Sequence, residues 1–141
     1  MYKRQDIAYA HLFSYFRGEE WRTQKETQRL LDKYFTTKPN GIPGNDDTGT
    51  MSAWAIFNMI GFYPDCPGLP EYTLTTPVFN KVTIRLDPKW YKEKELVIES
   101  NRTQPGTLYI NKVLLNGKKF NQYRITHDEL VHSQRILFDL K

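Results

Sequence analysis

The chain has 141 residues, 39% of them hydrophobic and 14% aromatic, which suits one ordinary domain burying roughly 70% of its unfolded surface and excludes a disordered chain. Its 20 basic and 16 acidic residues give a net charge of +4, but they interleave, so no phosphate track forms and nucleic acid is not an expected partner. Cys66 is the only cysteine, which excludes an internal disulfide or a cysteine metal cluster, and no stretch approaches the ~20 apolar residues of a membrane span.

In chain order, Asp6 is placed to cap a helix over 7–16, where Tyr9, Leu12, Phe13 and Phe16 recur at three- and four-residue spacing. The start, MYKRQDIAYA, holds too short an apolar run for a secretion signal. Gly18 ends that helix. A second begins at Glu19 or Glu20 and reaches Phe35, with Trp21, Leu30, Leu31, Tyr34 and Phe35 on its apolar side. Residues 36–50 form a loop rich in Pro, Gly, Asn and Asp. A third helix, 51–60, is apolar on nearly every face, is expected to be buried with Trp54 in the core, and stops at Gly61.

The connector 62–70 carries Pro64, Pro67 and Pro70, which excludes helix or central strand. Cys66, between two of these prolines, reads as a part-buried structural thiol. Beyond it the pattern turns to short strands, expected at 71–75, 81–86, 95–100, 108–115, 123–125 and 135–140. Asn116-Gly117 signals a type I′ hairpin. Asp128-Glu129 reads as a turn cap. His11, His127 and His132 are too dispersed for a zinc site. The predicted fold is α+β: helices to about residue 61, then an antiparallel β-sandwich-like region over 71–141.

The loop into the third helix, GIPGNDDTGTMSAW from Gly41 to Trp54, holds the tandem acids Asp46 and Asp47. The helix N-terminus is expected to point unpaired N–H groups and a positive dipole end at them, which keeps a carboxylate ionised and suits a general base or a ligand for a cation or sugar hydroxyl. Capping alone is the competing reading. Thr48 and Thr50 could also cap, so two acids exceed what a cap needs. An EF-hand is excluded, because residues 46–57 lack its alternating acids and final Glu.

GNDDTGTMSAWAIFNMIGFYPDCPG resembles the signature of the calcium-dependent exo-α-mannosidases of glycoside hydrolase family 92. AYAHLFSYFRGEEWRTQ is similar to that family's Tyr-rich helix and Trp-x-Thr-Gln segment, and PEYTLTTPVFNKVTIRL and YINKVLLNGKKF resemble its terminal β region. The likeness is specific over 44–68 and looser near the C-terminus, where glycines usual in the family are replaced at 131–133.

The resemblance implies that residues 1–61 are the last helices of an (α/α)₆ catalytic barrel, 62–70 a connector and 71–141 the C-terminal β region. The chain would then be part of a larger inverting α-mannosidase, α-1,2-directed, that removes terminal mannose from glycans. Asp47 falls on the base. Asp46, often Glu in the family, would orient water, sugar or Asp47, and Asn45 would bond a hydroxyl. Trp21 and Gln24 fall on substrate-side positions, although core packing is the competing reading for Trp21. The family's acid glutamate has no match at Glu19, Glu20 or Glu26. Its Asn-Glu-Pro…His-His metal segment has none at 1–6.

The implied cofactor is therefore Ca²⁺ in the parent enzyme, with an incomplete site and no metal ligand assigned in this chain. The chain alone is expected to be inactive. The implied partners are a mannose-containing glycan and the rest of the parent enzyme, with self-association through exposed helices. The implied location is periplasmic, cell-surface or secreted. The alternative is a non-catalytic sugar-binding or structural β-sandwich module in which Trp90 and Tyr91 form an aromatic platform.

Overall fold

The computed structural model describes residues 7–141. The expected Asp6 cap and the comparison made at residues 1–6 lie outside the described residues. Tyr9–Tyr15 is a 3₁₀ segment, followed by helices α1 (Glu20–Tyr34) and α2 (Thr50–Ile60). The β region comprises β1 (Phe62–Tyr63), β2 (Glu71–Leu74), β3 (Lys81–Arg85), β4 (Glu95–Arg102), β5 (Ile110–Leu115), β6 (Lys118–Phe120), β7 (Arg124–Thr126) and β8 (Arg135–Leu140). A short helix, α3 (His127–Val131), precedes β8.

The strands form two sheets, ordered β1-β2-β7 and β3-β4-β8-β5-β6. The α+β architecture is as expected, with one difference: β4 and β8 run parallel, from Val97↔Arg135 to Arg102↔Leu140. All other pairs are antiparallel. Alternation of inward Leu96, Ile98 and Ser100 on β4 with Ile136, Phe138 and Leu140 on β8 fixes which face is buried. Phe62, Leu74 and Ile125 from the smaller sheet meet this face in one hydrophobic core. Asn116 (φ +48) and Gly117 (φ +81) make the expected hairpin turn between β5 and β6. Thr126 and Glu129 cap α3 reciprocally, with Glu129 N–H donating to Thr126 Oγ1 at 3.1 Å and Thr126 N–H to Glu129 Oε2 at 2.9 Å.

The helical part departs from the simple apolar-stripe picture. In the 3₁₀ segment, Tyr9, Leu12 and Tyr15 are outward, as is Phe16 beyond it, and Ala10 and His11 are buried instead. The inward face of α1 is Thr23, Gln24, Thr27 and Leu31, with Leu30 packed beside it as expected, whereas Trp21 faces outward. Thr27 tolerates this because its Oγ1 donates back to the Thr23 carbonyl at 2.8 Å, whereas the buried Thr23 hydroxyl has no such partner among the described residues. On α2, Met51, Trp54, Ala55 and Asn58 are buried, whereas Ala53 and Ile56 face outward, so one side of that helix is uncovered.

Helices and sheets share contacts. Phe57 and Ile60 of α2 pack on the β core, and Tyr63 of β1 packs with Trp54 and Leu31. Gly61 ends α2 at φ +118, a conformation costly for other residues. A Cβ there would stand 2.8 Å from Pro77 Cγ.

Candidate active site

The loop before α2 is built by backbone that few residues adopt. Asp47 (φ +49), Thr48 (φ +62) and Gly49 (φ +86) follow one another in the left-handed region. For a β-branched residue such as Thr48 this is a clear outlier, costing on the order of 1–2 kcal/mol, and such outliers concentrate at functional sites. Upstream, the loop folds back on itself: Thr36 N–H donates to the Gly41 carbonyl at 2.9 Å. A Cβ on Gly41 would lie 2.0 Å from the Thr36 oxygen, so glycine is required there.

The tandem acids have separate fates. Asp46 is half-buried, and its Oδ1 accepts the Ser52 N–H at 2.8 Å. Its carbonyl takes the Met51 N–H at 3.1 Å. The Asp47 carbonyl takes the Thr50 N–H at 3.3 Å and the Thr50 hydroxyl at 2.7 Å. The first N–H groups of α2 are therefore occupied, which corrects the expectation that free donors reach both side chains. Gly49 supplies no side-chain cap, so Asp46 does that work from three residues earlier. The Asp47 carboxylate is exposed and has no hydrogen-bond or ion-pair partner among the described residues. Asn45, beside it, is exposed too.

The other expected site residues lie on α1. Trp21 is 42% exposed, meets the edge of Tyr109 at 6.3 Å and carries the Arg22 guanidinium 5.3 Å from its ring. It is not a core side chain. Gln24 is 2% exposed, and its Oε1 accepts the Ile110 N–H at 2.9 Å. Its carbonyl oxygen thus ties α1 to β5 rather than facing an open surface. The three glutamates of this region are engaged locally: Glu19 with Arg22 at 2.6 Å, Glu20 with the Gly18 N–H at 2.8 Å, and Glu26 with Arg29 at 2.7 Å.

One buried cluster fixes α2 from behind, and a part-buried one lies beside it. His11 is fully buried, stacks on Tyr63 with centroids 4.5 Å apart, and bonds Asn58 Oδ1 through Nε2 at 3.0 Å. Asn58 in turn donates to the Trp54 carbonyl at 2.8 Å. Burial pulls the His11 imidazole below its usual pKa, against a smaller opposing effect of the Asn58 bond. Beside it, Arg124 bonds Asp65 at 3.2 and 3.3 Å, Thr73 at 2.9 Å and Ser14 at 3.3 Å, under the ring of Tyr15 at 4.4 Å. The sequence reading missed both clusters. The only signal for them was a set of polar residues among aromatics that their own burial must satisfy.

The remaining candidates sit elsewhere. His127 bonds the Tyr72 hydroxyl at 3.0 Å, and His132 is exposed near Asp128. Trp90 is 72% exposed with Lys89 Nζ 4.8 Å from its ring, whereas Tyr91 turns in against His127. The two do not form a common platform. No group of three or more His, Cys, Asp or Glu side chains converges among the described residues. Calcium takes six to eight oxygens, and one free carboxylate with its neighbours does not fit that demand. The chemistry this arrangement offers is narrower: an exposed carboxylate able to accept a proton from a bound hydroxyl or water.

Comparison with known proteins gives consistent results. The model of the glycosyl hydrolase family 92 catalytic domain matches residues 3–141. A protein of Arthroderma benhamiae described as an uncharacterized secreted glycosidase is 28% identical over 114 residues, covering 81% of this chain. The structure of a family GH92 α-mannosidase of Bacteroides thetaiotaomicron in complex with mannoimidazole superposes over 96% of this chain with a TM-score of 0.86 and 30% identity. A family GH92 inverting mannosidase of the same organism gives a TM-score of 0.83 at 34% identity, again over 96% of this chain. The chain spans 14% of the curated relative and 17–18% of these two solved chains.

Proposed function

The chain belongs to glycosyl hydrolase family 92, and from that premise we propose that Asp47 is the general base of an inverting α-mannosidase. The observation that carries this is the division of the tandem pair: Asp46 is bound to Ser52, while the Asp47 carboxylate stands exposed and unpartnered on a left-handed backbone. Asp47 takes a proton from water as that water attacks the anomeric carbon. A separate acid, roughly 6.5–9.5 Å across the sugar, protonates the leaving oxygen. Asp46 is adjacent and cannot span that distance, and Glu19, Glu20 and Glu26 are already engaged on or beside α1. We therefore assign the acid, and any calcium ligands, to polypeptide beyond the described residues.

The division of the chain follows the same reading. Residues 1–61 are the closing helices of the catalytic barrel, 62–70 the connector and 71–141 the terminal β region. The outward face formed by Tyr9, Leu12, Phe16 and Trp21 is where the rest of the parent enzyme packs, since apolar patches of this kind mark association surfaces. Asn45 and Trp21 lie on the substrate side, and Gln24 holds α1 to β5 behind them. The name of the curated relative supports an exported enzyme.

The test is an intact enzyme carrying this segment, assayed with an aryl α-mannoside and then α-1,2-linked mannobiose. Asp47→Asn is expected to lower kcat about 10²–10⁴-fold, and the first sugar released is expected to be the β-anomer by NMR. Full activity in Asp47→Asn, or α-mannose as first product, refutes the assignment. The 141-residue chain alone, supplied with calcium, is expected to show no turnover.

A further inference from the structure

We propose that Asp46 is a positioning residue, a hydrogen-bond acceptor that sets the backbone presenting Asp47, and not a second acid or base at the reacting centre. The inference rests on the reading of Asp47 as the base.

Three consecutive N–H groups open α2, and each already has an acceptor: Thr50 on the Asp47 carbonyl, Met51 on the Asp46 carbonyl, and Ser52 on Asp46 Oδ1. The last of these bonds reaches back six residues, further than an ordinary cap, which lies two or three residues before its donor. The extra reach closes a loop around Asp47, Thr48 and Gly49. Those three residues must turn through positive φ to bring Asp46 onto Ser52. A run that includes Thr48 does not hold this conformation by its own preference. Something outside the run must hold it, and Asp46 is bonded across it twice, through its carbonyl to Met51 and through its side chain to Ser52.

The same bond has a second effect. With Ser52 N–H taken by Asp46, none of the first three amides of α2 is left for the Asp47 carboxylate. Its oxygens then keep their lone pairs for a water molecule. Asp46 thus absorbs the capping demand that would otherwise draw Asp47 inward. Charge is not needed for this: an amide oxygen accepts the same N–H, and Asn caps helices as well as Asp.

The experiment compares Asp46→Asn, Asp46→Ala and Asp47→Asn in an intact family 92 enzyme carrying this segment. Asp46→Ala is expected to lose at least about 100-fold in kcat with KM changed less than about threefold. Asp46→Asn is expected to stay within about tenfold of the parent in kcat, with the acidic limb of its kcat/KM profile at the parent's pH. A loss in Asp46→Asn as large as that in Asp47→Asn, or a displaced acidic limb, shows that the charge matters and overturns the proposal. An Asp46→Ala enzyme with parental kcat overturns it as well. Should Asp46→Ala not fold, the Asn variant decides alone. Asp47→Asn keeps the premise separate: if it retains activity, the base assignment fails, whatever Asp46 does. Amide exchange on the 141-residue chain gives an independent readout, with the Ser52 N–H expected to remain as protected in Asp46→Asn as in the parent. Exchange more than about tenfold faster in Asp46→Asn counts against the acceptor role.

Discussion

Removing the Asp65 carboxylate is expected to be among the most damaging single changes outside the core. Its side chain is 2% exposed and faces Arg124, itself 21% exposed. Asp65→Ala deprives two guanidinium N–H groups and the Thr73 hydroxyl, which donates at 2.8 Å, of their acceptor. Truncating one partner of a buried ion pair costs about 3–5 kcal/mol, because the other charge stays buried without compensation. Arg124 keeps other compensations here: Glu71 at 3.3 Å, the Thr73 and Ser14 hydroxyls at 2.9 and 3.3 Å, and the face of Tyr15. The low end, about 3 kcal/mol, is therefore expected. With a urea m-value of about 1.5 kcal/mol/M, that lowers the unfolding midpoint by about 2 M. Adding Arg124→Met removes the stranded cation, and the double variant is expected to recover at least about 1 kcal/mol relative to the sum of the single effects. The assay is urea unfolding of the 141-residue chain followed by circular dichroism. A loss below about 1 kcal/mol for Asp65→Ala, or additivity within about 0.5 kcal/mol, refutes the reasoning.

Three further outcomes follow from the same geometry. His11 is held below its usual pKa chiefly by burial. The unfolded chain therefore takes up a proton near pH 6.5 that the fold refuses, and the stability His11 contributes is complete above that pH and lost as pH falls below it. Urea midpoints should drop between pH 7 and pH 5.5, and His11→Phe should flatten that slope; an unchanged slope would exclude His11 as its source. Gln24→Leu strands the buried Ile110 N–H and should cost about 1–3 kcal/mol in the same unfolding assay, whereas a neutral effect would mean that the amide finds another acceptor. The outward Tyr9, Leu12, Phe16 and Trp21 should drive concentration-dependent association of the isolated chain; a monomer by light scattering at high concentration would count against it.

The sequence discloses some of this and withholds the rest for identifiable reasons. The strands over Lys81–Arg85, Glu95–Arg102 and Arg135–Leu140 are readable because alternation reports which side chains face inward. Alternation says nothing about the neighbouring strand, so the parallel β4–β8 pair is invisible to it. Tyr9, Leu12 and Tyr15 recur at a spacing of three, which fits a 3₁₀ helix as well as an α-helix, and the pattern cannot tell a face that packs from one awaiting a partner. On α1 the apolar Leu30 and Leu31 mark part of the inward face, but Thr23, Gln24 and Thr27 join it unannounced because they count as polar, although backbone groups satisfy Thr27 and Gln24. At the loop, residue type locates the acids. Which of them caps and which stands free depends on torsions at Asp47 and Thr48 that no propensity predicts.

The Gln24–Ile110 bond joins residues 86 positions apart, and with Arg124 reaching Ser14 it makes the two ends of the chain mechanically dependent. Cutting the polypeptide in its proline-rich connector would not yield two self-sufficient halves, because each would lose hydrogen-bonding groups it needs from the other. Lesions deep in the terminal strands should therefore travel, shifting the third helical segment and whatever its leading edge holds.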